Sequence, residues 1–193
     1  AYDISACLVG SEMCIRDRGL YYDNGVSNAS AVYYHNDITD MLSAKDCANG
    51  ALGKCTYNID KAVLQGISLE VGTKIGSYKL YSSLDMQDPR DKGTDTLIER
   101  RARYHGVIGL DHTYQSFKSG LDIVYSGYRY DSPKQVNRLG GYALLNLHAT
   151  YDLNNDWQLF GRWNNVFDKQ YSQAFGYNTA GSNVFVGIRY GFK

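Results

Sequence analysis

The sequence predicts an all-β chain, an antiparallel, up-and-down transmembrane β-barrel fragment of about eight strands that lies as a curved open sheet. Three observations carry this expectation. From Val26 onward, apolar and polar residues alternate with a period of two. The polar set holds full charges deep within the strands, among them Arg101, Arg103, Asp111, Asp122, Arg162 and Arg189. The connections alternate between tight turns and longer polar segments.

The elements follow in chain order. The first two strands are expected at 26–42 and 57–72; in the second, Ile67, Leu69 and Val71 share one face and Ser68 and Glu70 the other. In 76–87, Tyr78, Leu80, Leu84 and Met86 alternate with Lys79, Tyr81, Ser83 and Asp85. In 98–113, Ala102, Tyr104, Ile108 and Leu110 alternate with Arg101, Arg103, His105 and Asp111. In 118–130, Leu121, Ile123 and Tyr125 oppose Asp122 and Ser126, and in 141–152, Ala143, Leu145, Leu147, Ala149 and Tyr151 oppose Asn146, His148 and Thr150. Strands at 157–167 and 181–192 close the series, the last with Val184, Val186, Ile188, Tyr190 and Phe192 opposite Gly187 and Arg189. This period places successive side chains on opposite faces of a sheet.

A charged face can be the solvated side of an ordinary antiparallel sheet or the wall of a water-filled lumen. Either way water covers the charges, since burying them dry and unpaired would cost several kcal/mol each. The apolar face then needs its own cover. The sequence holds no amphipathic helix to provide it, and lipid is the economical cover. Segments near 43–56, 87–98, 131–140 and 168–180 are long, whereas 73–77, 114–118 and 153–156 are tight, the alternation that outer-membrane barrels show between outside loops and periplasmic turns. A closed ring of about eight strands is the alternative, because side chains can fill so small an interior. As an open sheet, the chain would expose two unpaired edges.

Composition narrows the classes. Twenty basic residues balance twenty acidic ones, so no basic face argues for nucleic acid. The chain has 18 Tyr and 20 Gly against 2 Pro, and Tyr suits both strands and membrane–water boundaries. No apolar run approaches the ~18 residues of a spanning helix. The four His lie far apart without metal-protease spacing, and neither a phosphate loop nor a nucleophile elbow occurs. No enzyme activity, metal or cofactor is expected.

The first eighteen residues break the pattern. They show neither strand alternation nor the basic, apolar and small order of a signal peptide. The stretch from Cys7 to Arg18, CLVGSEMCIRDR, resembles translated sequencing-adapter read-through. Residues 1–18 are therefore expected to be an artefactual or disordered tail, with a genuine tail as the alternative, and 19–193 to form the barrel segment. Cys47 and Cys55 bracket a short segment that reads as a loop disulfide in an oxidising compartment, with free thiols as the alternative.

Several stretches resemble TonB-dependent receptors of the bacterial outer membrane. Trp163-Asn164-Asn165-Val166-Phe167-Asp168-Lys169-Gln170-Tyr171 is similar to that family's penultimate-strand motif. Gly176-Tyr177-Asn178-Thr179-Ala180-Gly181 resembles its last extracellular loop, and Val184 to Phe192 its closing strand. Upstream, 33–42 and 62–70 are similar to two further strands, and together the matches cover nearly all of 26–192. Within the family, Leu97 to Ala102 and the FGYNTAG loop resemble the cobalamin receptors; siderophore receptors share much of the pattern. Two features depart from it: Lys193 follows the usually terminal aromatic, here Phe192, and Ser182 follows Gly181 where the family has Arg. A loop disulfide is also more common in siderophore receptors.

The resemblance implies a fragment of a barrel of about 22 strands with a plugged lumen. It implies active transport of a scarce ligand, cobalamin or a siderophore, driven by the periplasmic partner TonB through an N-terminal plug outside this chain. By match to the family's residues, Arg100 and Tyr177 would touch ligand. Arg brings fixed donors, and Tyr a ring and a hydroxyl. The bland reading makes Arg100 a solvated rim charge and Tyr177 a girdle aromatic. A self-contained small barrel with a structural or adhesive role is the alternative of another class.

Overall fold

The computed structural model describes residues 13–46, 54–132 and 134–191. The strands are β1 (Met13–Asp23), β2 (Ser27–Asp46), β3 (Lys54–Ile75), β4 (Tyr78–Asp91), β5 (Thr96–Leu97), β6 (Tyr104–Tyr114), β7 (Phe117–Ser126), β8 (Arg129–Ser132), β9 (Val136–Leu139), β10 (Tyr142–Asp152), β11 (Trp157–Asn164) and β12 (Asn183–Tyr190). The main sheet is an antiparallel meander in the order β1-β2-β3-β4-β6-β7-β10-β11-β12. The short β5 pairs with β4, and β8 and β9 form a separate hairpin. Among the described residues β1 and β12 do not pair, so the sheet is open, as expected, and the closed-ring alternative is not what the chain adopts.

The four tight connections lie at one end. Gly25 and Gly76 take φ +79° and +59°, a region that costs glycine nothing. The Asn24 side-chain oxygen accepts the amides of Val26 and Ser27 at 3.0 and 2.7 Å, and Asn154 does the same for Asp156 and Trp157 at 2.9 and 3.0 Å. Short Asn, Asp and Gly turns of this kind tie antiparallel neighbours without slack. The loop end holds the long connections.

Register sorts the side chains onto two faces. On one, Leu110 pairs with Leu121 and Leu121 with Leu147, Ile108 with Ile123 and Ile123 with Leu145, and Leu159 with Ile188. This apolar band is bounded near the turns by Tyr78, Tyr114, Phe117, Tyr151, Trp157 and Tyr190, and near the loops by Tyr33, Tyr104, Tyr125 and Trp163. All ten are 40–63% exposed. An apolar band between two aromatic belts is the lipid face of an outer-membrane barrel. The opposite, inner face holds Asp85, Asp111, Asp122, Asn146, His148, Arg162 and Arg189 in the same registers.

Aromatic rings on the inner face lie over glycines of neighbouring strands. A Cβ at Gly109 would come within 2.0 Å of the Tyr81 ring, and one at Gly187 within 2.4 Å of Phe160. Glycine at these positions lets the rings lie against the neighbouring strand; a side chain there would turn the ring aside without moving the backbone.

Five details differ from the sequence reading. Met13–Arg18, expected in the tail, pair in register with Tyr33–Ile38. A ladder is made by backbone groups, so strand pairing extends along β2 whatever side chains β1 carries. The strand expected at 98–113 begins only at Tyr104, because Arg100 takes φ 61° and the buried Ile98 turns inward, so Arg101 and Arg103 lie outside the strand. The strand expected at 118–130 ends at Ser126, and the long loop expected at 131–140 contains most of the β8–β9 hairpin. The strand expected at 157–167 stops at Asn164, where Asn165 takes φ 50°.

At the loop end a small apolar core forms from Ile38, Ile59, Ala62, Leu64 and Ile98, with Met41 against it. The Ile98 amide donates to the Pro89 carbonyl at 3.0 Å, which holds the segment after β5 over β2 and β3.

Candidate functional site

The loop end is joined into one body by Arg129, at the start of β8. The residue is 9% exposed, and its guanidinium donates to the carbonyls of Gln173 at 3.2 Å and Ser172 at 3.3 Å, and to Ser126 Oγ at 3.3 Å. It also lies 5.9 Å from the centre of the Tyr142 ring, which packs on Tyr171 at 4.4 Å. A cation buried this deeply is tolerable because it is hydrogen-bonded throughout. Sequence reasoning passed over Arg129, since one arginine among many carries no spacing signal.

Arg100 sits beside the same hairpin. Its amide donates to the Tyr130 carbonyl at 2.6 Å, and its Nε lies 3.3 Å from the Asp131 carboxylate, which is 6% exposed. The Arg100 side chain is 57% exposed. Tyr177 is on the 165–182 loop, 72% exposed, with its amide on the Ala174 carbonyl at 3.2 Å. The fold brings the two to the same rim through Arg129, but their side chains do not touch. The expected pairing of Cys47 with Cys55 lies outside the described residues.

The Asn165 to Asp168 run has a structural task. Asn165 is buried, accepts the Lys169 amide at 2.8 Å and donates to the Lys169 carbonyl at 3.0 Å. Its own amide donates to Asn146 Oδ1 at 2.9 Å. Asp168 accepts the Ser182 amide at 2.8 Å across the neck of the loop. The motif thus clamps the base of the loop that carries Tyr177. At the loop end of β4, Arg90 Nε donates to the Asp88 carboxylate at 2.9 Å; an arginine is charged at working pH in any case, so the contact positions the β4 rim without acting as a switch.

Further down the inner wall, Asn146 donates to Asp122 at 2.6 Å, and Arg162 lies 3.8 Å from the same carboxylate. His148 Nε2 is 3.1 Å from Asp111 Oδ1. That last contact spans β7 at Gly120, where an added Cβ would come within 2.5 Å of both partners. Gly120→Ala should part them and cost about 1 kcal/mol in the urea midpoint of refolding, and that cost should vanish in a His148→Ala background. An equal cost in both backgrounds would show that the pair does not matter.

This arrangement has a lipid-facing band, an inner wall of paired charges and a joined rim of loops. Comparison with known proteins adds the lineage. The family model described as "TonB dependent receptor-like, beta-barrel" matches residues 16–166.

The chain belongs to the TonB-dependent receptors.

It is part of a bacterial outer-membrane β-barrel and not an enzyme. It is 27% identical over 161 residues to the vitamin B12 transporter BtuB of Photobacterium profundum, covering 82% of this chain and 27% of that protein. Among solved structures, the copper transporter OprC superposes with a TM-score of 0.82 at 17% identity, over 94% of this chain and 31% of the other. A mutant ferric enterobactin receptor of Pseudomonas aeruginosa gives 0.77 at 20% identity, over 94% and 31%. The FrpB iron transporter of Neisseria meningitidis gives 0.73 at 18%, over 97% and 33%. The chain therefore spans about a third or less of the TonB-dependent receptors it matches, and the structural likenesses speak for the shared fold alone.

Proposed function

We propose that this segment is the C-terminal wall and rim of an active outer-membrane transporter whose ligand is cobalamin. The observation that carries the reading is the likeness to a vitamin B12 transporter along 82% of the chain. The exposed Arg100 side chain and the exposed ring and hydroxyl of Tyr177 suit an amide-rich ligand. Asp131 steadies Arg100 through Nε, which leaves its remaining donors for ligand. Arg129 and the Asn165 clamp hold the Tyr177 loop in place, which reduces the ordering cost on binding. TonB acts through a plug formed by another part of the protein, and the inner-wall charges of this segment face the lumen that the plug occupies.

The test is cyanocobalamin binding to the receptor that carries this segment. Arg100→Ala and Tyr177→Ala should each weaken binding about tenfold, the loss of one charge-assisted hydrogen bond or one ring contact. If neither moves the affinity, both residue assignments are wrong. If ferric siderophores bind and cobalamin does not, the protein is a siderophore receptor.

A further inference from the structure

The β8–β9 hairpin stands apart from the wall. Its two strands pair with each other and, among the described residues, with no strand of the main sheet. Gly127-Tyr128 separates it from β7, and Gly140-Gly141 from β10. A two-stranded hairpin is marginally stable on its own. Its place on the rim must therefore come from contacts outside a ladder, and residues 129–131 supply them to both sides.

The period of two puts Arg129 and Asp131 on one face of β8, and both are buried. Arg129 holds the 165–182 loop through carbonyls 43 and 44 positions away. Asp131 holds the segment after β5 through Arg100. No hydrogen bond reaches Asp131 Oδ1 among the described residues, so the Arg100 charge is what makes burial of that carboxylate tolerable. Tyr130, between the two, accepts the Arg100 amide. Arg100 itself has φ 61°, an unfavourable conformation for a residue with a Cβ, which persists only where the surroundings hold it.

We propose that Arg129 and Asp131 are positioning residues for ligand binding, through which the Arg100 segment and the Tyr177 loop are ordered together or not at all. Releasing either contact frees β8 from both neighbours, because no ladder to the wall holds it instead. A ligand that engages Tyr177 therefore also sets Arg100 in place, and the reverse holds with the same free energy. A rim ordered only part of the time binds more weakly by that fraction, and the loss falls on the association rate. The positioning role rests on the reading of Arg100 and Tyr177 as ligand contacts; the coupling of the two segments needs no ligand.

The test is hydrogen exchange on the ligand-free receptor that carries this segment, in detergent micelles, followed by cyanocobalamin binding kinetics on the same variants. Arg129→Met removes the donors to the loop, and Asp131→Asn keeps the side chain's shape without its charge. Each should speed exchange about tenfold in both 98–102 and 172–179, with the amides of β6 and β7 unchanged. If each variant loosens only the side it touches, or if β6 and β7 loosen as well, the proposal is overturned. In Arg129→Met, cyanocobalamin should associate about tenfold more slowly at an unchanged dissociation rate, whereas Arg100→Ala and Tyr177→Ala should act on dissociation. Faster dissociation from Arg129→Met, or no change in either rate, would overturn the positioning role. Coupled exchange in a receptor that does not bind cobalamin even when unaltered would support the coupling and remove the ligand reading alone.

Discussion

Gly66→Val is expected to destabilise the sheet by about 3 kcal/mol, the upper end of what overpacking costs. Gly66 lies in the middle of β3, paired with Tyr34 of β2 and Gln87 of β4. A Cβ built there would stand 2.3 Å from the Met86 carbonyl oxygen and 2.6 Å from the Tyr34 hydroxyl. The tyrosine ring can swing aside. The carbonyl cannot, because it belongs to a strand pinned on both sides, by β3 and by β6. Relief therefore requires the β3–β4 ladder to open. The measurement is the urea midpoint of refolding into detergent or lipid. Gly109→Ala serves as the contrast, because its nearest contacts are the far end of the Tyr81 side chain, which can rotate. If the two substitutions cost the same, the backbone clash at Gly66 is relieved in some cheaper way and the argument fails.

Ile108→Lys should cost about 2–4 kcal/mol in a bilayer, the range for a lysine near the midplane of a lipid face. Ile108 is 55% exposed and lies on the apolar face between Tyr104 and Tyr114 of the two aromatic belts. Its neighbour Val107 is on the opposite face, in register with Ser83 and Val124. Val107→Lys should cost much less, because its ammonium meets lumenal water. Parallel refolding of both variants into lipid vesicles compares the two faces at one depth. Equal costs would mean that the apolar band does not face hydrocarbon, and the membrane assignment would fall with it.

The alternation of Leu121, Ile123 and Tyr125 against Asp122 and Ser126 was legible because a strand has a strict period of two, and the register confirms that split. The tight turns at 73–77 and 153–156 were legible because Gly76 and Asn154 are residue types with a local preference for such geometry; the turn at Asn24 and Gly25 was missed, because no strand was expected before it. The rim was much less legible. The start of the strand read at 98–113 is not strand in the structure, because Ile98 has a better place in the core with Ile38 and Leu64 than in a ladder. Arg129 reaches the Gln173 carbonyl across 44 positions of sequence, and no local pattern encodes a contact at that separation. Arg100 and Tyr177 were chosen by resemblance. The structure puts them on one rim and leaves their contact with ligand to the binding measurements.

Fold class, the face assignment within most strands and the tight turns at 73–77, 114–118 and 153–156 followed from the order of residues, because a strand's period and a turn's backbone preference are local properties of the chain. The open edge, the His148–Asp111 contact over Gly120 and the Arg129 clamp needed the assembled sheet. Each depends on which strand lies beside which and in what register, and that is settled by the packing of all the strands together.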